Sequence, residues 1–155
     1  MQGDVFDRIP LFKGLSAAQR SLLRPLFISY DAYGGTVLFE QGEPADSLYL
    51  IVSGEVIIRY KPEDGPVICL ARVRPGGVVG WSAALGRQVY TSGAECTVYS
   101  EILRIRSEDL RNLCEQYPEV GELLLERLAH VIAERLQDTN GQVLDLLKQG
   151  LAYGH

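Results

Sequence analysis

The residues able to ligate a metal or carry covalent chemistry are few and scattered. Cys69, Cys96 and Cys114 stand far apart, and His130 and His155 are the two histidines. No Cys-x-x-Cys or His-x-His spacing joins them, whereas a structural zinc or iron–sulfur centre needs ligands at short, regular intervals. An odd number of widely spaced cysteines reads instead as reduced thiols, mostly in the core of a cytoplasmic chain. There is no Gly-x-Ser-x-Gly elbow, no P-loop and no helix-aligned carboxylate pair, and Glu108-Asp109 reads as a helix start. The sequence thus predicts no enzyme, no metal site and no resident cofactor.

Binding is the chemistry that remains, and the elements that would position a binding site can be read from the breakers. A chain of 155 residues buries about two-thirds of its surface on folding, roughly 25,000 Å² falling to about 7,800 Å², which suits one domain. Residues 1–27 read as short helices. Ser16-Ala17-Ala18-Gln19 fits a capping box, Leu15, Leu22, Leu23 and Leu26 form a stripe, and Ile9-Pro10-Leu11-Phe12 breaks a first short helix. Residues 28–106 read as an antiparallel sandwich or barrel. Ten of the sixteen glycines fall there, separating short Val-, Ile-, Tyr- and Thr-rich runs at 27–30, 36–40, 48–52, 55–60, 67–73 and 98–105. Val78 to Gly86, with its small residues, interrupts the strands as one or two helical turns.

Residues 107–155 read as helices. Ser107 is the expected N-cap before Glu108-Asp109, Tyr117-Pro118 stops a short helix, and residues 119–147 form a long one. Leu125, Leu128, Ile132, Leu136, Thr139, Val143 and Leu146 are spaced by three and four residues, close to a heptad seam, with Gly141 as a candidate bend. That seam predicts a homodimer through the C-terminal helix. Fifteen basic residues against twenty acidic ones, net −5, argue against direct nucleic-acid binding, because phosphate neutralisation dominates that affinity. The longest uncharged run, twelve residues from Pro75 to Gly86, is too short to span a membrane.

Five segments in order resemble the cyclic nucleotide-binding domain of the catabolite-activator type of bacterial regulator. They are Ile9-Pro10-Leu11-Phe12-x-Gly14-Leu15-Ser16, Gly35-Thr36-Val37-Leu38-Phe39-x-Gln41-Gly42-Glu43-Pro44-Ala45-Asp46, Leu48-Tyr49-Leu50-Ile51-Val52-Ser53-Gly54-Glu55-Val56, Pro75-Gly76-Gly77-Val78-Val79-Gly80 and Arg135-Leu136-Gln137-x-Thr139. The resemblance covers about residues 6–147. It implies an α+β fold: a jelly-roll-like antiparallel β-roll, or double-stranded β-helix, with short N-terminal helices, a short cassette helix and a long C-terminal helix.

The resemblance also implies a phosphate-binding cassette, in which glycine admits backbone amides to an anion, a helical turn offers its N-terminus, and an Arg pairs with the cyclic phosphate. In the family a Glu takes the ribose hydroxyl. Here Gly80 is in place and Ser82-Ala83-Ala84-Leu85 can form the turn, but the Glu position holds Trp81 and the Arg position holds Tyr90, followed by Thr91 and Ser92. Arg87 is the candidate replacement anion contact. Thr139 and Asn140 stand where the family places a base-facing hydroxyl pair, although a polar slot that sets helix register is the alternative for Thr139.

Two classes of function follow. One is a regulatory, ligand-sensing module of signal transduction, whose cleft takes a cyclic nucleotide or another small molecule and binds cyclic AMP weakly for want of the Glu and Arg. The other is a dimeric structural or interaction protein with Trp81 and Tyr90 filling the pocket. The effector half of a transcription regulator without its DNA-binding part is a further alternative.

Overall fold

The computed structural model describes residues 5–82, 87–136 and 147–148. Eight strands among these residues pair antiparallel in two four-stranded sheets, ordered β1-β8-β3-β6 and β2-β7-β4-β5. The strands are β1 Phe27–Ala32, β2 Val37–Phe39, β3 Ser47–Ser53, β4 Val56–Tyr60, β5 Ile68–Val73, β6 Val78–Val79, β7 Gly93–Cys96 and β8 Ser100–Arg106. Helices α1 Val5–Arg8 and α2 Ala17–Leu23 precede the roll, and α3 Ser107–Gln116 and α4 Pro118–Leu136 follow it. The α+β β-roll expected from the sequence is the observed fold.

Local chemistry explains most boundaries. Ser16 caps α2 as a reciprocal box: its Oγ accepts from the Gln19 amide at 3.1 Å, and Gln19 Oε1 accepts from the Ser16 amide at 2.9 Å. Strand β3 is buried on both faces. Alternate side chains serve two cores, which is why Leu48-Tyr49-Leu50-Ile51-Val52 is apolar without interruption. Leu48, Leu50 and Val52 join Phe6, Phe12, Phe27, Leu110 and Leu124 between the first sheet and the helices. Tyr49 and Ile51 join Phe39, Val56, Ile58, Tyr90 and Ala94 inside the roll.

Two local expectations are corrected. Val78-Val79 do not start a helical turn; they pair with Leu50 and Tyr49 as β6, because two β-branched residues complete the edge of the first sheet. Ser107 is the first helical residue rather than the cap. Arg106 occupies the cap position, while the Ser107 amide donates to Asp46 O at 2.9 Å. Helix α4 covers Pro118–Leu136 of the expected 119–147 helix, and residues 137–146 lie outside the described residues; Lys148 Nζ lies 3.0 Å from Glu122 Oε1 and Leu147 is buried in the same core cluster as Leu124.

Three residues of the expected dimer seam are buried within a single chain. Leu125, Leu128 and Ile132 are each at most 3% exposed, because α4 lays that stripe on the first sheet and the N-terminal segment of its own chain. The side chain of Leu136, together with Thr139, Asn140, Gly141, Val143 and Leu146, lies outside the described residues. Gly121 lets α4 press on α3: a Cβ there would stand 2.7 Å from Cys114 Cα and 2.9 Å from its Sγ. Among the described residues no helix is long and apolar enough to cross a membrane.

Candidate ligand cleft

The cleft forms where β6 leaves the first sheet and the chain returns as β7 in the second. Gly80 is the pivot. Its φ of +79° and the space around it both demand glycine: a Cβ would meet Ser47 O at 2.8 Å, the Tyr49 ring at 3.2 Å and the Phe39 ring at 3.3 Å. After the turn through Trp81 and Ser82, the Arg87 amide donates to Ser82 O at 3.1 Å. The returning arm is clamped to the β2–β3 turn. Ala45 donates to Gln88 O at 2.9 Å, Tyr90 N to Glu43 O at 2.9 Å and Gly42 N to Tyr90 O at 2.8 Å. Backbone pairing of this kind fixes the arm whatever its side chains do.

Tyr90 lies deep in the fold. It is 3% exposed and its ring stacks on Phe39 with centroids 3.9 Å apart. The hydroxyl donates to Ser47 O at 2.7 Å and accepts from Ser47 N at 3.1 Å. The single donor of the phenol is thereby used on backbone that has no solvent exposure of its own. Burial pushes the Tyr90 phenol far above its ordinary pKa, against the smaller opposing pull of its bond to Ser47. Tyr49 is raised for the same first reason. Behind them, Arg104 Nε donates to Ser47 Oγ at 2.8 Å, Ser47 Oγ donates to Asp46 Oδ1 at 3.0 Å, and the Arg104 guanidinium stands 3.6 Å from Asp46 Oδ1.

The result is a cleft of about 400 Å³. It brings together Gly80, Trp81, Ser82, Arg87, Tyr90, Thr91 and Ser92, all singled out from the sequence, and adds Phe39, Ile58, Leu70 and Ala71. Trp81 is half-buried and packs against the helix-side core, and both aromatics line the cleft. Ala83 lies outside the described residues. The added wall residues had one legible signal: Val67-Ile68-Cys69-Leu70 is an unbroken apolar run leading into β5 at a sheet edge, and Leu70 remains 56% exposed. Ser47 and Arg104 carried none, since nothing local marks a partner 43 or 57 residues away.

Cys69 is exposed, Cys96 buried and Cys114 between, and burial raises the thiol pKa of the latter two. Among the described residues no group of three or more His, Cys, Asp or Glu could hold a metal ion. The described lining residues offer hydroxyls, one guanidinium and aromatic faces, which is the equipment of a binding module.

Residues 32–117 match the family model described as the cyclic nucleotide-binding domain. The chain belongs to that family. It is 28% identical over 144 residues to the CRP-like cAMP-activated global transcriptional regulator of Mycobacterium tuberculosis, covering 93% of this chain and 62% of that protein. It is 30% identical over 138 residues to the cyclic AMP receptor protein of Thermus thermophilus, covering 89% of this chain and 62% of the relative. The crystal structure of the N-terminal domain of a transcriptional regulator from Streptomyces coelicolor superimposes with a TM-score of 0.66 at 29% identity, covering 87% of this chain and 94% of that one. The chain thus spans 62% of the length of either curated relative.

Proposed function

We propose that the cleft is a small-molecule sensor that takes cyclic AMP poorly, and that the chain acts as a non-catalytic effector domain, as the names of its relatives suggest for the part they share with it. The observation that carries the reading is Tyr90. Where family resemblance expects a guanidinium for the cyclic phosphate, this chain has a phenol whose hydroxyl is spent on Ser47. Where it expects a carboxylate for the ribose, it has Trp81. Each lost bond is charge-assisted and worth roughly 1.5–3 kcal/mol. Without both, Kd rises by about 10² to 10⁴.

Calorimetric titration with cyclic AMP tests this. The unmodified protein is expected to show no saturable heat below about 100 μM, taking a micromolar affinity for an intact cassette and applying that loss. The double change Trp81→Glu plus Tyr90→Arg is expected to bring binding back, since the turn geometry around Gly80 is already in place. Saturation of the unmodified protein at low-micromolar cyclic AMP would overturn the reading.

A further inference from the structure

The described wall of the cleft has a definite chemical polarity, and it restricts what can fill it. Its floor and sides are Phe39, Ile58, Tyr90, Trp81, Leu70 and Ala71. Phe39 and Tyr90 are stacked 3.9 Å apart and, at 5% and 3% exposure, close the cleft with aromatic edges, while Leu70 is apolar and 56% exposed. Burying such surfaces favours a ligand body that is itself apolar, and ring walls favour a flat one.

The polar equipment sits together on the returning arm and the preceding turn: Ser82, Arg87, Thr91 and Ser92. Arg87 is the one charged residue among the described lining residues. It is exposed, and no ion pair holds it among the described residues. A guanidinium flanked by hydroxyls suits a planar carboxylate, which it grips through two parallel N–H···O bonds. Pockets of a few hundred Å³ take ligands in this way: an apolar body for affinity and a few convergent polar groups for orientation.

We propose that the cleft binds a compact aromatic monocarboxylate, its ring against Phe39, Tyr90, Trp81 and Leu70 and its carboxylate at Arg87. This rests on the reading of the cleft as a small-molecule sensor that disfavours cyclic AMP, and names the ligand class for it.

The test is calorimetry with 2-naphthoate as the probe, against its neutral counterpart 2-naphthalenemethanol and the cationic 2-naphthylmethylammonium. At the ligand efficiency usual for small molecules, thirteen heavy atoms give a Kd near or below about 1 mM. Naphthoate is expected to bind several-fold more tightly than the alcohol, and the alcohol more tightly than the cation. Arg87→Gln is expected to weaken naphthoate about two- to fivefold, the range for an exposed ion pair, and to leave the alcohol unchanged. Leu70→Ser is expected to weaken both. Each change is at an exposed position, so the fold is retained. The proposal is overturned if naphthoate does not saturate by about 5 mM, if the alcohol binds as tightly as naphthoate, or if Arg87→Gln weakens both alike. A low-micromolar response to cyclic AMP in the same cell would instead remove the underlying reading, so the two failures are distinguishable.

Discussion

Replacing Tyr90 by Phe keeps the stacked ring and removes one oxygen atom. That oxygen donates to Ser47 O and accepts from Ser47 N, and Ser47 has 0% exposure. The substitution therefore strands a buried donor and a buried acceptor. Each orphaned group costs about 1–3 kcal/mol, so a loss of about 2–4 kcal/mol is expected, weighted to the lower half because the adjacent cleft admits water. For a domain of this size that lowers Tm by roughly 4–16 °C. Urea and thermal melts followed by circular dichroism measure it directly. The same bond has a pH signature. The folded-state pKa of Tyr90 is raised above its unfolded value by burial, so its contribution is fully present below the unfolded value, near 10, and is lost as pH rises beyond it. Tyr90→Phe is expected to lower stability at pH 7 and to make its decline above pH 10 shallower; Tyr30 and Tyr49, also raised by burial, keep the remainder. A Tyr90→Phe protein within about 0.5 kcal/mol of the parent at pH 7 would show that the hydroxyl is not bound to Ser47, and the case against cyclic AMP would lose its main support.

Other substitutions test the packing. Ile132→Asp is expected to unfold the chain, because Ile132 is 2% exposed and an unpaired charge there has no relief; a folded monomer with an unchanged melt, derived from a dimeric parent, would restore the dimer seam. Gly121→Ala is expected to destabilise by about 1–3 kcal/mol through overpacking on Cys114, although alanine is the better helix former by about 1 kcal/mol; a higher urea midpoint would mean that α3 and α4 can separate freely. Gly80→Ala is expected to cost stability and reshape the cleft together, since its Cβ would press on Ser47 O and the Phe39 and Tyr49 rings; an unchanged melt and unchanged ligand titration would refute the tight pivot.

Local signals in the sequence settled much of this protein. Glycine and proline punctuation set most strand limits, the Ser16–Gln19 box fixed the start of α2, and Tyr117-Pro118 separated α3 from α4. The motif string around Gly80 marked the cleft, and seven of its described lining residues are legible from that string. The two-residue strand β6 was not, because a pair of valines among small residues has no periodicity to read.

Tertiary structure decided the rest. Periodicity in α4 reports that one face is buried but not what buries it: the Leu125, Leu128 and Ile132 stripe has the same spacing whether it meets a second copy or its own sheet. Only the return of Leu147 and Lys148 to the region of Leu124 and Glu122 shows that these residues serve one folded core. Tyr90 is the same case at atomic scale. As a residue type it is equally able to plug a pocket, donate to a ligand or anchor a loop. Which of these it does follows from Ser47, 43 positions earlier in the chain, brought alongside by the closure of the roll, because a phenol whose one O–H is donated to backbone has no donor left for an anionic ligand.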